Sequence, residues 1–216
     1  MKKQTAKLTR LFISLLLLGM VFLPSAQVLA MPVTGDVVTA VTPALVDRLS
    51  ISLDDFAASV KNGNSGQIVG LYADDVFALS VVQQPSGNTG YVSTSGYNVA
   101  TQFGMASSYG SIGMLAHNYL AGSYFSNLAS GSEIVVIYGD GSTVSYTVSE
   151  VRKYQALTPS SAYSNFINLS DPSETLTSSD VFSETYGTSG ALVLQTCISK
   201  DGNSSWGRLF VIAIKS

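Results

Sequence analysis

Three side chains in this sequence could carry chemistry together, and two of them are the only ones of their type. Among 216 residues there is one cysteine, Cys197, and one histidine, His117. A thiol ionised to its thiolate is a strong nucleophile, and an imidazole that titrates near neutrality can pass a proton to a leaving group. The same scarcity excludes other chemistry. One cysteine cannot close an intramolecular disulfide, and one cysteine with one histidine cannot assemble a Cys/His zinc site. Each residue also has an ordinary structural reading: a free cysteine as a small buried hydrophobe, a lone strand histidine as a satisfied structural group.

The third residue follows from a hairpin. Cys197 lies in the apolar run ALVLQTCI (191–198), and the next such run is RLFVIAIK (208–215), with Asp201-Gly202-Asn203-Ser204 between them. A two-residue turn centred on Gly202-Asn203 pairs residues whose numbers sum to 405, which sets Cys197 across from Arg208. Directly opposed residues share a face with Cβ atoms roughly 5 Å apart, and a one-residue bulge would break the pairing. Alone, Arg208 reads as a surface residue paired with a carboxylate. Beside a thiol, a guanidinium favours the thiolate and offers donors to an oxyanion on an attacked carbonyl.

The elements that must position these groups are mostly strands. Residues 44–63 (ALVDRLSISLDDFAASVKNG) read as helical, with Ser52 and Asp55 spaced as a capping box and Asn62 to Gly66 as the stop. Gln67–Tyr72 and Val76–Val82 are short strands; Val99–Ser108 reads as one more short helix. Ser111–His117 is a strand ending on the histidine. Glu133–Tyr138 and Thr143–Val148 flank the hairpin signal Asp140-Gly141, the second run continuing through Leu157 and placing Val144, Tyr146 and Val148 on one face. Thr158–Gly190 is polar and Ser/Thr-rich, a loop long enough that at least one helical turn is expected in it. Closely spaced strands with few helices imply a mainly β barrel or sandwich.

Composition bounds the setting. Residues 1–30 have a basic start (Lys2, Lys3, Lys7, Arg10), a 13-residue apolar core from Leu11 to Leu23 and a small-residue end at Val28-Leu29-Ala30. These are the parts of an export signal, cleaved after Ala30 or retained as a signal anchor; either places the rest outside the cytoplasm. Residues 31–43 read as a linker and 44–216 as a single domain. In an oxidising compartment an unpaired thiol is a liability unless it is buried or used. With four of the eleven basic residues in the signal, seven remain against fourteen acidic groups. A body that acidic would repel a phosphate backbone, so nucleic acid is disfavoured as a partner.

The order His, Cys, Arg, with Cys closing a strand that reads VLQTC (Val193–Cys197) and Arg opening the next, resembles the sortases, the cysteine transpeptidases of bacterial surfaces. SIGMLAHNYLAGSYFSNL (Ser111–Leu128) is similar to the family's histidine segment, and SGSEIVVIYGDGSTVSYTVSEV (Ser130–Val151) to its next hairpin. The likeness spans Gln67–Lys215. It departs at Val193, where the family's TLxTC pattern has Thr, at AHN in place of the common GH, and in the length of the loop before the catalytic strand.

The resemblance implies a closed eight-stranded sortase-like β-barrel with a few short helices. Cys197 is then the nucleophile, His117 the general acid/base and Arg208 the oxyanion or substrate stabiliser, with Thr196 as a secondary substrate contact. The implied substrate is a peptide with an LPxTG-type sorting motif, and the implied acceptor an amine such as a cell-wall peptide or a pilin lysine. The implied chemistry needs no cofactor and no metal; Asp74, Asp75 and Glu133 stand in no recognisable calcium-ligand spacing. Two other readings remain open on sequence: a cysteine peptidase that hands the acyl group to water, and a sortase-like binding domain without activity. In all of them the protein is extracellular or at the cell surface, touching membrane only through an uncleaved N-terminus.

Overall fold

The computed structural model describes residues 51–216; the predicted signal, the linker and the first part of the predicted helix (44–50) lie outside the described residues. The first helix, α1 (Leu53–Val60), starts at the predicted cap. The Ser52 hydroxyl accepts from the Asp55 N–H at 3.1 Å and donates to the Asp55 carboxylate at 2.7 Å. Ile51 and Ser52 therefore stand outside the helix, which is shorter than the helical reading of 44–63. A cap satisfies the orphan N–H groups of a first turn, so it marks a start and not an interior.

Ten strands follow among the described residues: β1 (Ile68–Ala73), β2 (Phe77–Gln83), β3 (Val99–Phe103), β4 (Ile112–Leu115), β5 (Glu133–Tyr138), β6 (Thr143–Ala156), β7 (Phe166–Asn168), β8 (Thr175–Leu176), β9 (Leu192–Lys200) and β10 (Asn203–Lys215). A second helix, α2 (Ser178–Tyr186), precedes β9. Neighbours run β10-β9-β4-β3-β2-β1-β5-β6, and β6 pairs again with β10. That last pairing closes an eight-stranded barrel and removes its edges. The ladder is antiparallel except for β2 with β3 and β4 with β9. The strands β7 and β8 extend from the far end of β6.

Alternation along the strands fills the barrel. Leu192 and Leu194 of β9, Leu209, Val211 and Ala213 of β10, Met114 of β4 and Ile134 and Val136 of β5 belong to one buried cluster with Phe125. The intervening residues are buried too. Val193, Phe210 and Ile212 pack outside the barrel with Val181 and Tyr186 of α2, and Val135 and Ile137 pack with Phe56 of α1. Burial on both faces is why β5, β9 and β10 read as continuous apolar runs.

The structure corrects the sequence reading at 99–108. Val99–Phe103 is strand β3, and only Gly104–Tyr109 is helical, as a 3-10 segment. Ala100 and Thr101 are fully buried, with β2 on one side and β4 on the other, so sheet pairing overrides a weak helical pattern. The polar stretch 158–190 holds more structure than one turn: β7, β8 and the nine-residue α2. Thr177 caps α2, accepting from the Asp180 N–H at 3.2 Å while the Asp180 carboxylate accepts from the Thr177 N–H at 2.8 Å.

Leu194 is fully buried in the central strand β9. Leu194→Ala is expected to cost about 2–5 kcal/mol, while Ile214→Ala, at a residue 43% exposed, changes stability by about 0.5 kcal/mol or less. Chemical denaturation of the two variants checks the difference.

Candidate active site

Strand β9 carries the thiol, and its two neighbours bring the other groups to it. On one side Cys197 pairs with Arg208 of β10, as the hairpin arithmetic predicts. The route differs from the prediction. The turn is Asp201-Gly202, with φ of 50° and 79°, the left-handed pair that a type I′ hairpin requires. Asn203 then pairs with Lys200, and residues 204–206 of β10 stand against Ser199 alone before Gly207 pairs with Ile198. The irregularity adds two residues to β10, an even number, so it restores the predicted register without turning any side chain to the other face. The row continues onto β6, where Arg208 pairs with Tyr154.

On the other side of β9 runs β4, in parallel. Leu115 pairs with Gln195, the Ala116 N–H donates to the Gln195 carbonyl at 3.2 Å, and the Thr196 hydroxyl donates to the Ala116 carbonyl at 2.8 Å. Past the histidine, the Asn118 side-chain amide donates to the Ser199 hydroxyl at 2.6 Å and to the Ser204 carbonyl at 2.9 Å. β4 ends at Leu115, two residues short of the predicted strand end at His117, and the residues on either side of the histidine, Ala116 and Asn118, are bonded to β9. The inward residues Met114 and Ala116 belong to the barrel interior, so alternation turns Leu115 and His117 outward. Cys197 faces outward as well, in step with Val193. The imidazole stacks on Tyr119, ring centroids 5.0 Å apart and planes 19° from parallel.

Arg208 is half-buried and bonded to carbonyls. One terminal nitrogen donates to the Ser205 and Gly207 carbonyls, each at 2.9 Å, and the other to the Pro159 carbonyl at 3.2 Å. A guanidinium has five N–H donors, so two remain unused, the Nε–H and one on the second terminal nitrogen. The ion pairs among the described residues are made by Arg152, which pairs with Glu150 at 2.8 Å and Glu184 at 3.4 Å. The first pair lies within β6 and the second joins α2 to it. The Tyr154 hydroxyl also donates to Glu184, at 2.9 Å, and burial followed by that bond pushes the phenol up to about 12. Tyr186 of α2 donates to the Gln195 side chain at 2.7 Å, two residues before the thiol on the same face, and full burial raises its pKa.

Cys197 is half-buried and lines a cleft of about 330 Å³ with Thr196, Leu209, Lys153, Asn118 and Gly122. Thr196 is 5% exposed, its hydroxyl given to Ala116. A larger cavity of about 610 Å³ lies beside Tyr72, Asp74 and Glu133, and none of the three chemical residues lines it. Among the described residues no group of three His, Cys, Asp or Glu side chains is placed to hold a metal ion.

No family model matches the chain, and no curated protein does. Solved structures do. It is similar to a pilus-related sortase C of Group B Streptococcus, with a TM-score of 0.45 and 14% identity over 79% of this chain and 77% of that one. Sortase A of Listeria monocytogenes gives 0.41 and 14%, over 69% of this chain and 87% of that one. A Clostridium perfringens sortase C, solved with the C-terminal cell wall sorting motif, gives 0.41 and 13%, over 72% and 74%. The structures it resembles are sortases.

Asn118, Tyr119 and Gly122 were not singled out by residue type, although all three lie in the segment SIGMLAHNYLAGSYFSNL. Gly122 is where the 3-10 segment Ala121–Asn127 presses on the histidine turn. Its N–H donates to the His117 carbonyl at 3.0 Å, and a Cβ there would collide with the Thr196 hydroxyl and stand 2.7 Å from the Ala116 carbonyl. Gly122→Ala is expected to cost about 1–3 kcal/mol and to loosen the His117 turn from β9. A lowered denaturation midpoint, with faster amide exchange at residues 116–122, is the measurable result.

Proposed function

We propose that the chain is a sortase-like cysteine transpeptidase. The observation that carries this reading is the arrangement on β9: Arg208 directly across from Cys197 on one neighbour, and the residues flanking His117 bonded to β9 on the other. In the proposed reaction the Cys197 thiolate attacks the carbonyl carbon of the scissile Thr in an LPxTG-type peptide. The unused donors of Arg208 stabilise the oxyanion as it forms. His117 gives its proton to the leaving amine, the C–N bond breaks, and the acyl group stays on sulfur as a thioester. An acceptor amine then attacks the thioester, His117 takes back a proton, and the new amide leaves with the thiolate restored. Covalent catalysis thus splits one hard acyl transfer into two easier steps.

The sorting-motif substrate rests on the VLQTC and histidine-segment resemblance. Residues 44–216 form the catalytic domain in this reading, presented at the cell surface or secreted by the N-terminal segment. Among the described residues no helix is long and apolar enough to cross a membrane. In this reading Thr196 acts from beneath the site, through its bond to Ala116, more than by touching substrate.

Incubating the protein with an LPxTG-type peptide and triglycine tests the reading. Ligated product is expected; hydrolysis alone would reassign the protein as a peptidase. A Cys197 inert to a thiol-directed alkylating probe in the native state would reassign it as a binding domain. Cys197→Ala is expected to abolish turnover with its melting temperature nearly unchanged, because a half-buried catalytic thiol adds little packing. Both Arg208→Ala and His117→Ala should lower kcat/KM by about 10² or more, the scale of losing one oxyanion donor or a positioned general acid. Steady-state kinetics on the folded variants decide it, and wild-type rates in either would remove its assigned role.

A further inference from the structure

The His117 side chain is half-buried, and among the described residues neither ring nitrogen makes a hydrogen bond within the protein and no carboxylate pairs with it. A histidine that moves protons is ordinarily held by a third group, which accepts from its second ring nitrogen. Here the contact that orients the ring is aromatic. The Tyr119 ring lies 5.0 Å away, centroid to centroid, with its plane 19° from parallel, inside the range of offset-stacked pairs. Two residues apart in sequence, the rings meet because the chain turns between them. The His117 carbonyl accepts from the Leu120 N–H at 2.9 Å and the Gly122 N–H at 3.0 Å, and the Asn118 side-chain amide fastens the turn to Ser199 and Ser204. Tyr119 itself is 58% exposed, and its hydroxyl bonds to no group among the described residues. A ring that open adds little to the core, so its contact with His117 is the one interaction the fold gives it.

Resting on the transpeptidase reading, we propose that Tyr119 is a positioning residue for His117: its ring holds the imidazole in one orientation and covers one of its faces. A stack fixes the side chain without engaging a ring nitrogen. The nitrogens stay free, so that one can give its proton to the leaving amine and take one back from the acceptor amine. Offset aromatic pairs shift a rotamer population by about threefold to tenfold, which sets the size of the effect on a step that needs one orientation of the ring.

The test uses the full chain and two readouts. His117 is the one histidine, so its ring C–H signals are unambiguous in a proton–carbon correlation spectrum. In the wild type these protons are expected upfield, shifted by the Tyr119 ring current, with nuclear Overhauser contacts between the two rings; Tyr119→Phe keeps both features and Tyr119→Leu loses both. The second readout is kinetic. With an LPxTG-type peptide and triglycine, Tyr119→Leu should lower kcat by about threefold to tenfold while KM changes by less than about twofold, and Tyr119→Phe should restore the rate. Unshifted histidine protons in the wild type, an unchanged kcat in Tyr119→Leu, or a loss confined to KM would overturn the positioning role, the last making Tyr119 a substrate contact. A wild type whose Cys197 is acylated by no peptide, with the upfield shift present and lost in Tyr119→Leu, would overturn the transpeptidase reading while supporting Tyr119 as the group that orients the imidazole.

Discussion

Strand β9 is paired on both edges and buried on both faces, and everything proposed for the site follows from its register. Leu192 and Leu194 face the barrel interior while Val193 packs under α2, so sliding β9 by one residue would trade every one of these positions for the opposite environment. That lock fixes Cys197 against Arg208 through the antiparallel ladder with β10 and against the histidine segment through the parallel ladder with β4. Parallel neighbours need a long crossover, and here residues 116–191 supply it. The barrel thus sets Cys197 across from Arg208 and brings the segment that carries His117 onto the other edge of β9.

Packing holds the strands, but polar ties aim the groups at their ends. The Thr196 hydroxyl on Ala116 and the Asn118 amide on Ser199 and Ser204 bracket the histidine, and three carbonyls orient the Arg208 guanidinium. On the outer face Tyr154–Glu184 and Tyr186–Gln195 bonds fasten α2 to the same strands. The long polar segment 158–190 therefore reaches the site twice, through Pro159 on Arg208 and through α2 behind Gln195. The strands of the site belong to the barrel, and this segment adds Pro159 and α2 from outside it.

Much of this was legible from local pattern. The alternation in 143–148 and the apolar runs at the C-terminus are direct records of which faces are buried, and the hairpin pairing of Cys197 with Arg208 emerged from a count. That count succeeded although the turn is Asp201-Gly202, because the added residues in β10 come as a pair and preserve register parity. At 99–103 the same reasoning failed: five residues flanked by Asn98 and Gly104 carry too little periodicity to declare a strand whose partners, β2 and β4, decide it. Helix α2 was signalled by Thr177 and Asp180, spaced as a capping box, but the polar composition around them hid it. What no local pattern could show is the cross-chain set, Asn118 to Ser199 and Gly122 against Thr196, since those contacts join residues some 80 positions apart and exist only once β4 and β9 pair.

The central claim is that Cys197 is acylated by a peptide while His117 and Arg208 stand beside it, and intact-mass spectrometry of the protein mixed with an LPxTG-type peptide in the absence of acceptor tests it most directly. A mass increase equal to the N-terminal fragment of the peptide is expected, mapped to Cys197 after digestion and discharged by hydroxylamine or an added amine. An unmodified Cys197 under these conditions, or an acyl group found on another residue, would contradict it.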